Sequence, residues 1–514
     1  MEKVIEMKGV TKVFPGIIAN DNVDFDLNKG EIHVLLGENG AGKTTLMNIL
    51  YGLYQQEAGD IFVKGQKVNI KNPKEAIGLG IGMVHQHFML VHNFTVAQNM
   101  VLGHEPKNGL KIDMKKAIKD TEELSKKYGF NIDPKAVIED MTVGQQQKVE
   151  ILKALYRGAN ILILDEPTAV LTPQEIEELS EILRNLVNEG KSIILITHKL
   201  KEVMKMSDRV TIIRRGKKID IVKTKDTSID ELAEKMVGRK VNLVVDKDEC
   251  KAGKTVLSIE NLSVLDNRKL PVVKGVSLQV RRGEIVALAG VDGNGQTEFI
   301  EGITGLRKTE SGTIILNGND VTGKSPRDII ESGLGHIAED RHKRGLVLDF
   351  SLVENSILGS HYKKPFANGI MMNYGKIREH AKSLIKNYDV RTPNEDVNAS
   401  ALSGGNQQKM IIAREIDKDP ELIIAAQPTR GVDVGAIEYI HRRLVEERDK
   451  GRGVLLVSLE LDEVLALADR IAVIYDGEIV DVLDRKDATE QKLGILMAGG
   501  TLNKEEGKGG ESHE

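Results

Sequence analysis

The chain repeats itself. NKGEIHVLLGENGAGKTT, from Asn28 to Thr45, returns as RRGEIVALAGVDGNGQTE, from Arg281 to Glu298. The pairs Lys43/Gln296 and Gln86/Glu339 share one offset (296 − 43 = 339 − 86 = 253). Gly144/Gly405, Asp165/Ala426 and His198/Leu459 share another (405 − 144 = 426 − 165 = 459 − 198 = 261). A repeat of this register means two domains of one design, and 514 residues are too many for a single core. The boundaries read as 1–240 for the first domain, 241–254 for a polar linker, 255–500 for the second domain and 501–514 for a Gly/Lys/Glu-rich tail expected to be disordered. The change of offset is a net insertion (261 − 253 = 8) between Glu339 and Leu402, expected around His361 to Tyr374.

Within each copy, apolar runs such as Ile32–Leu36, Ile161–Asp165 and Ser192–Thr197 read as buried parallel strands. Amphipathic stretches such as Thr172 to Gly190 read as the crossover helices between them. The Lys- and Glu-rich stretch from Asn99 to Asp140 reads as an inserted helical subdomain. The fold class is therefore α/β, twice over. A net charge of −5 gives no ground for nucleic-acid binding. The single cysteine, Cys250, excludes a disulfide framework and is read as a plain linker residue in a reducing compartment. No run is long and apolar enough to span a bilayer, and Met1 to Val10 lacks a signal-peptide core, so direct membrane insertion is not expected.

The segment Gly37-Glu38-Asn39-Gly40-Ala41-Gly42-Lys43-Thr44 follows a strand, opens a helix and fits the Walker A pattern. Glycines there let backbone N–H groups approach phosphate oxygens at a helix N-terminus. Lys43 would neutralise the β- and γ-phosphates, and Thr44 would offer a hydroxyl to Mg²⁺. Asp165 and Glu166 end an apolar strand, where ligands bind in open α/β sheets. Asp165 would hold the metal and Glu166 would act as general base toward water. His198, beyond the next strand, can reach the γ-phosphate edge. His85 and His87 flank Gln86, but no third ligand of matching spacing points to a metal centre there.

With LSGGNQQK (Leu402 to Lys409), its divergent counterpart MTVGQQQK (Met141 to Lys148) and Gln86 in GMVHQH, the chain resembles an ABC transporter ATPase over nearly its whole length. The resemblance implies two tandem ABC-type P-loop NTPase domains. Each would carry a RecA-like core, an antiparallel β subdomain and a helical subdomain. It makes Gln86 a third metal-site residue, one that communicates with a membrane subunit, Phe14 an adenine-stacking ring, and Thr45 part of the phosphate loop. It also implies two ATP sites, each joining one domain's Walker motifs to the other's signature. Site one would use Lys43, Thr44, Gln86, Asp165, Glu166 and His198 with Ser403, Gly404, Gly405 and Asn406. Site two keeps Gly290, Gly293, Gly295 and Thr297 but carries Gln296, Ala426, Gln427 and Leu459 at the positions of Lys, Asp, Glu and His, and it faces Thr142 and Val143. Hydrolysis is therefore expected at site one alone, and Glu339 is a candidate substitute for the lost metal ligand.

AEDRHKRGLVLDFSLVEN (Ala338 to Asn355) and AAQPTRGVDVGAIE (Ala425 to Glu438) look most like the nucleoside-uptake branch of sugar and nucleoside importer ATPases. That implies two integral-membrane permease subunits, an extracytoplasmic substrate-binding lipoprotein, and a place at the cytoplasmic face of the membrane. A ribose-type importer is the close alternative. A soluble two-cassette ATPase of translation or DNA repair is a further one.

Overall fold

The computed structural model describes residues 2–85, 88–108, 111–168, 171–240 and 245–500, with the side chain of Pro173 excepted. The chain divides into two compact units, Met1–Val241 and Asn242–Glu514. In the first, a six-stranded sheet runs in the order Lys217–Lys223, Arg209–Arg214, Ile32–Leu36, Ser192–Thr197, Ile161–Asp165, Ile81–Val84. Its strands are parallel except for the antiparallel outer pair Arg209–Arg214 and Lys217–Lys223. An antiparallel four-stranded sheet, Ile17–Asn28, Lys3–Phe14, Ala58–Val63 and Gln66–Val68, packs its apolar face over the first helix. The second unit repeats both sheets, with Ile285–Ala289, Leu422–Ala426 and Gly453–Ser458 at the centre of the larger one.

The local chemistry explains these elements. Every residue of Ile32–Leu36, Ile161–Asp165 and Ser192–Thr197 is buried, as strands covered on both faces require. Helix Pro173–Asn188 starts at a Thr172/Glu175 capping box with Pro at its first turn. Between Asn99 and Asp140 lie the helix Met114–Tyr128 and the 3₁₀ turn Ile138–Asp140, so the expected helical subdomain is present.

The structure corrects one expectation. The insertion in the second copy is spread out, not confined to His361–Tyr374. Equivalent N-caps Thr95 and Ser351 differ by 351 − 95 = 256, Asp113 and Asn373 by 373 − 113 = 260, and the equivalent bridge residues Val137 and Asn398 by 398 − 137 = 261. Part of it lies between Glu339 and Ser351, around the π turn Arg341–Gly345, part before the helix Tyr374–Asn387, and the rest between Asn373 and Asn398. No motif falls between Glu339 and Leu402, so sequence arithmetic could not divide it. The described part of the linker, from Val245 onward, is docked on the second unit. Lys247 Nζ donates to the carbonyls of Leu467 (2.8 Å) and Ala468 (2.7 Å) and to Asp469 (3.0 Å), a cation on the C-terminal end of helix Leu461–Leu467. Cys250 Sγ donates to the Gly283 carbonyl, and burial raises the thiol's pKa, as befits an inert residue. Residues 241–244 and the tail 501–514 lie outside the described residues.

His33 is buried and His336 half-buried, each at a position whose twin in the other unit is apolar. His33, opposite Val286 of the second copy, accepts from Arg209 at Nδ1 (3.2 Å) and meets Thr211 Oγ1 at Nε2 (2.8 Å). Burial first, then the Arg209 charge, lowers its pKa to about 4 against the opposing pull of Glu31 and Asp26. His336, opposite Met83, is lowered to about 4 by burial first and by Arg344 and Lys418, with Glu415 opposing. A depressed histidine pKa means that only the unfolded chain takes up the proton between pH 6.5 and 4. Stability is then complete above about 6.5 and falls as pH drops toward 4. We expect His33→Val and His336→Met, the twins' own residues, to flatten thermal melting against pH in that window, each removing about 3 kcal/mol of acid sensitivity.

Candidate nucleotide site

Strand register brings the sequence-predicted residues of the first unit together. Thr197 lies beside Leu36, and Ile196 beside Asp165, so the loops carrying Gly37, Glu166 and His198 leave one edge of the sheet side by side. The phosphate loop then turns into helix Lys43–Leu50 through Gly42 at φ 96°, where a side chain would be strained and would also strike the Ala19 carbonyl. Lys43 Nζ folds over the loop and donates to the carbonyls of Gly37 (2.7 Å) and Glu38 (3.0 Å). Burial lowers the Lys43 pKa against the charges of Glu166, Asp165 and Glu38, leaving a cation in need of an anionic partner. Asn39, Gly40 and Thr44 are exposed at the mouth, while Ala41 is buried and Thr45 half-buried beneath.

Thr44 Oγ1 faces Asp165 Oδ1 at 3.5 Å. Burial raises the Asp165 carboxyl to about 6, opposed by Thr44 and Lys43 and reinforced by Glu166. A hydroxyl and a buried, desolvated carboxylate are hard oxygen donors that fit a small divalent cation. Glu166 Oε1 accepts from His198 Nδ1 at 2.8 Å. Burial pushes the Glu166 carboxyl up, but the His198 hydrogen bond and the charges of His198, Lys43 and Lys199 outweigh it and hold it below the ordinary value. Glu166 has a left-handed backbone, φ 47°, which costs a non-glycine residue about 1–3 kcal/mol and is typical of strained functional positions. Buried Glu202 accepts from Thr197 Oγ1 (3.0 Å) and from Thr168 Oγ1, which braces the two loops carrying the pair.

Phe14 ends its strand half-buried, with its ring edge-on to Tyr54 at 5.4 Å and Lys12 over its face at 5.3 Å. Gln86 and His87 lie outside the described residues. His85 packs edge-on to Tyr51, and burial lowers its pKa. Two contributors were not foreseen from sequence. Glu202 is one, and buried Asn20, which donates to the Gly42 carbonyl at 3.1 Å beneath the phosphate loop, is the other. Asn20 opens the polar run Asn20-Asp21-Asn22, so nothing in the sequence set it apart.

The second unit keeps the scaffold and changes the chemistry. Gly295 has φ 95°, and Gly290 and Gly293 hold the same loop. Gln296 Nε2 donates to the Val291 carbonyl at 2.9 Å, so a neutral amide takes the path of the Lys43 ammonium. Gln427 keeps φ 47° but cannot act as a base, and its Oε1 accepts from Leu459 N at 3.5 Å. Thr297 Oγ1 donates to Glu339 Oε2 at 2.9 Å.

The signature motifs diverge as well. Thr142 spends its hydroxyl as a capping box on its own helix, accepting from Gln145 N at 3.3 Å. Ser403 makes no such cap. Its Oγ accepts from Asn406 Nδ2 at 2.9 Å, which leaves the exposed Ser403 O–H to donate elsewhere, and Asn406 is held in turn by Arg391 N. Gly404 and Gly405 form the first turn of the helix behind it, where a Cβ on Gly405 would press on Asp433.

The ABC transporter family model matches residues 20–169 and 273–430, once in each unit. This chain belongs to the ABC transporter family. It is an ATPase subunit with two ATP-binding cassettes in tandem. Over 99% of both chains it is 58% identical to a guanosine import ATP-binding protein of Bacillus subtilis (strain 168). It is 56% identical to a nucleoside import ATP-binding protein of Lactococcus lactis subsp. cremoris (strain MG1363), covering 98% of this chain and 99% of that one. A ribose import ATP-binding protein of Clostridium tetani (strain Massachusetts / E88) is 40% identical, with 95% and 96% covered. Among solved structures, the archaeal ribosome recycling factor aABCE1, in complex with ribosomal stalk protein aP1, matches with a TM-score of 0.59 over 93% of this chain and 90% of that one. At 16% identity this likeness is one of fold alone. No described helix is long and apolar enough to cross a membrane.

Proposed function

We propose that the chain energises import of a nucleoside by hydrolysing ATP at the first cassette's phosphate loop only, with the second cassette supplying the signature. The observation that carries this reading is the Glu166–His198 pair at 2.8 Å beside Lys43 and Asp165, set against Gln427 and Leu459 on the same backbone in the second cassette. Gly37 to Gly42, Lys43 and Thr45 bind the phosphates, and Phe14 takes the adenine. Thr44, Asp165 and Gln86 would hold Mg²⁺, which supplies positive charge at the β- and γ-phosphates when bound. Glu166 takes the proton of the attacking water. His198 fixes that carboxylate through its Nδ1–H and reaches the γ-phosphate only through Nε2. Ser403 O–H and the N–H groups of Gly404 and Gly405 hold the γ-phosphate as its charge shifts.

The relatives that carry guanosine and nucleoside names at 58% and 56% identity support the solute class over ribose at 40%. The partners are two integral-membrane permeases and, through them, an extracytoplasmic binding lipoprotein, so the subunit sits peripherally at the cytoplasmic face. Cells lacking the chain should lose uptake of labelled guanosine and keep uptake of ribose, and only a hydrolysis-competent chain should restore it. Loss of ribose uptake with guanosine uptake intact would move the chain to the sugar branch.

A further inference from the structure

The second cassette carries a cation of its own where the first is built for a metal. Glu339 stands at the position of Gln86. Its Oε2 accepts from Thr297 Oγ1 at 2.9 Å, and its Oε1 accepts from Arg430 Nη1 at 3.1 Å. Arg430 falls four residues beyond Ala426, at the position of Ala169 in the first cassette, which has no charge to offer. Its backbone is clamped by Arg341, which donates to the carbonyls of Arg430 (2.8 Å) and Gly431 (3.3 Å). Arg341 lies at the start of the π turn and has Phe88 as its counterpart. These additions occur together with the loss of Lys at Gln296 and of Asp at Ala426.

We propose that the second cassette binds nucleoside triphosphate without a divalent metal, with the Arg430 guanidinium supplying the positive charge. Two observations converge on this. The hydroxyl and carboxylate that could ligate a cation already form a bridge to Arg430, and a divalent ion placed there would sit beside a fixed positive charge, with Ala426 and Gln427 where the first cassette has the carboxylates Asp165 and Glu166. Arg430 spends one N–H on Glu339, and its side chain is 60% exposed, so its other donors can reach a phosphate at the loop mouth. The same bridge makes Glu339 a poor substitute for the missing metal ligand. The inference rests on the second cassette binding nucleotide as a member of its family, and it is independent of the imported solute.

The full-length protein is photolysed with 8-azido-ATP over a concentration series, in Mg²⁺ or in EDTA. After digestion, mass spectrometry quantifies label on peptides of each cassette. Chelation should raise half-saturation on first-cassette peptides about tenfold or more, and shift it less than about twofold on second-cassette peptides. In EDTA, Arg430→Ala should raise second-cassette half-saturation about tenfold, and Arg430→Lys should recover part of the loss. Unchanged first-cassette labelling in Mg²⁺ shows that these variants are folded. The proposal is overturned by parallel loss of both labels on chelation, by absence of second-cassette label in both conditions, or by indifference to Arg430→Ala. Failure of guanosine uptake would leave the labelling result standing.

Discussion

Glu166→Gln should leave ATP bound and lower the hydrolysis rate by about 10²–10⁴-fold, because it removes the one proton acceptor at the reacting water. A defect of folding is not the expected cause. The chain already places Gln at the equivalent Gln427, with the same φ of 47°. The substituted amide can still meet His198, so the loop geometry should survive. The reciprocal change, Gln427→Glu, should restore nothing. That pocket also has Gln296 for lysine, Ala426 for aspartate and Leu459 for histidine, and a lone carboxylate has neither the phosphate-loop lysine nor the positioned ring it needs. Phosphate release and nucleotide binding, measured on the same preparations, separate the two steps. Equal loss of binding and hydrolysis in Glu166→Gln would make Glu166 a binding residue.

The two signature motifs should respond in opposite ways to the same truncation. Ser403→Ala removes a hydroxyl that does not cap its own helix and is exposed to a ligand. Loss of one such donor to a transition-state oxygen costs about 10²-fold. Thr142→Ala instead removes a capping-box hydroxyl. It should cost about 1 kcal/mol of stability in the first cassette and change hydrolysis by less than about twofold. Melting temperature and steady-state ATPase of the two variants give a crossed pattern: rate lost without stability in one, stability lost without rate in the other. The reverse pattern would assign the working signature to Thr142.

Much of this was legible in the chain because parallel strands and phosphate loops leave local marks. Ile32–Leu36 and Ile161–Asp165 are uninterrupted apolar runs that end where the chemistry begins, and Gly42 and Gly295 stand where the backbone must turn left-handed. The ABC transporter match to both copies bears out the family reading. What sequence could not show depends on side chains meeting across long separations. Glu202 reaches Thr168, on the neighbouring strand's loop, only once helix Leu200–Met206 folds back on the strand ends. The Arg430–Glu339 bridge joins residues with no common motif, which is why Glu339 read as a spare metal ligand and not as an ion-paired one. The docking of Lys247 was hidden for the same reason: its partners are two carbonyls and an aspartate some 220 positions away, and they leave no pattern in the polar stretch that contains it.

The most direct test of one working pocket in two is the size of the first turnover. With the complete transporter complex at saturating ATP, rapid-quench measurement should give a burst of about one phosphate per chain, with the resulting ADP confined to the first cassette. A burst of about two per chain, with ADP on both cassettes, would contradict the account.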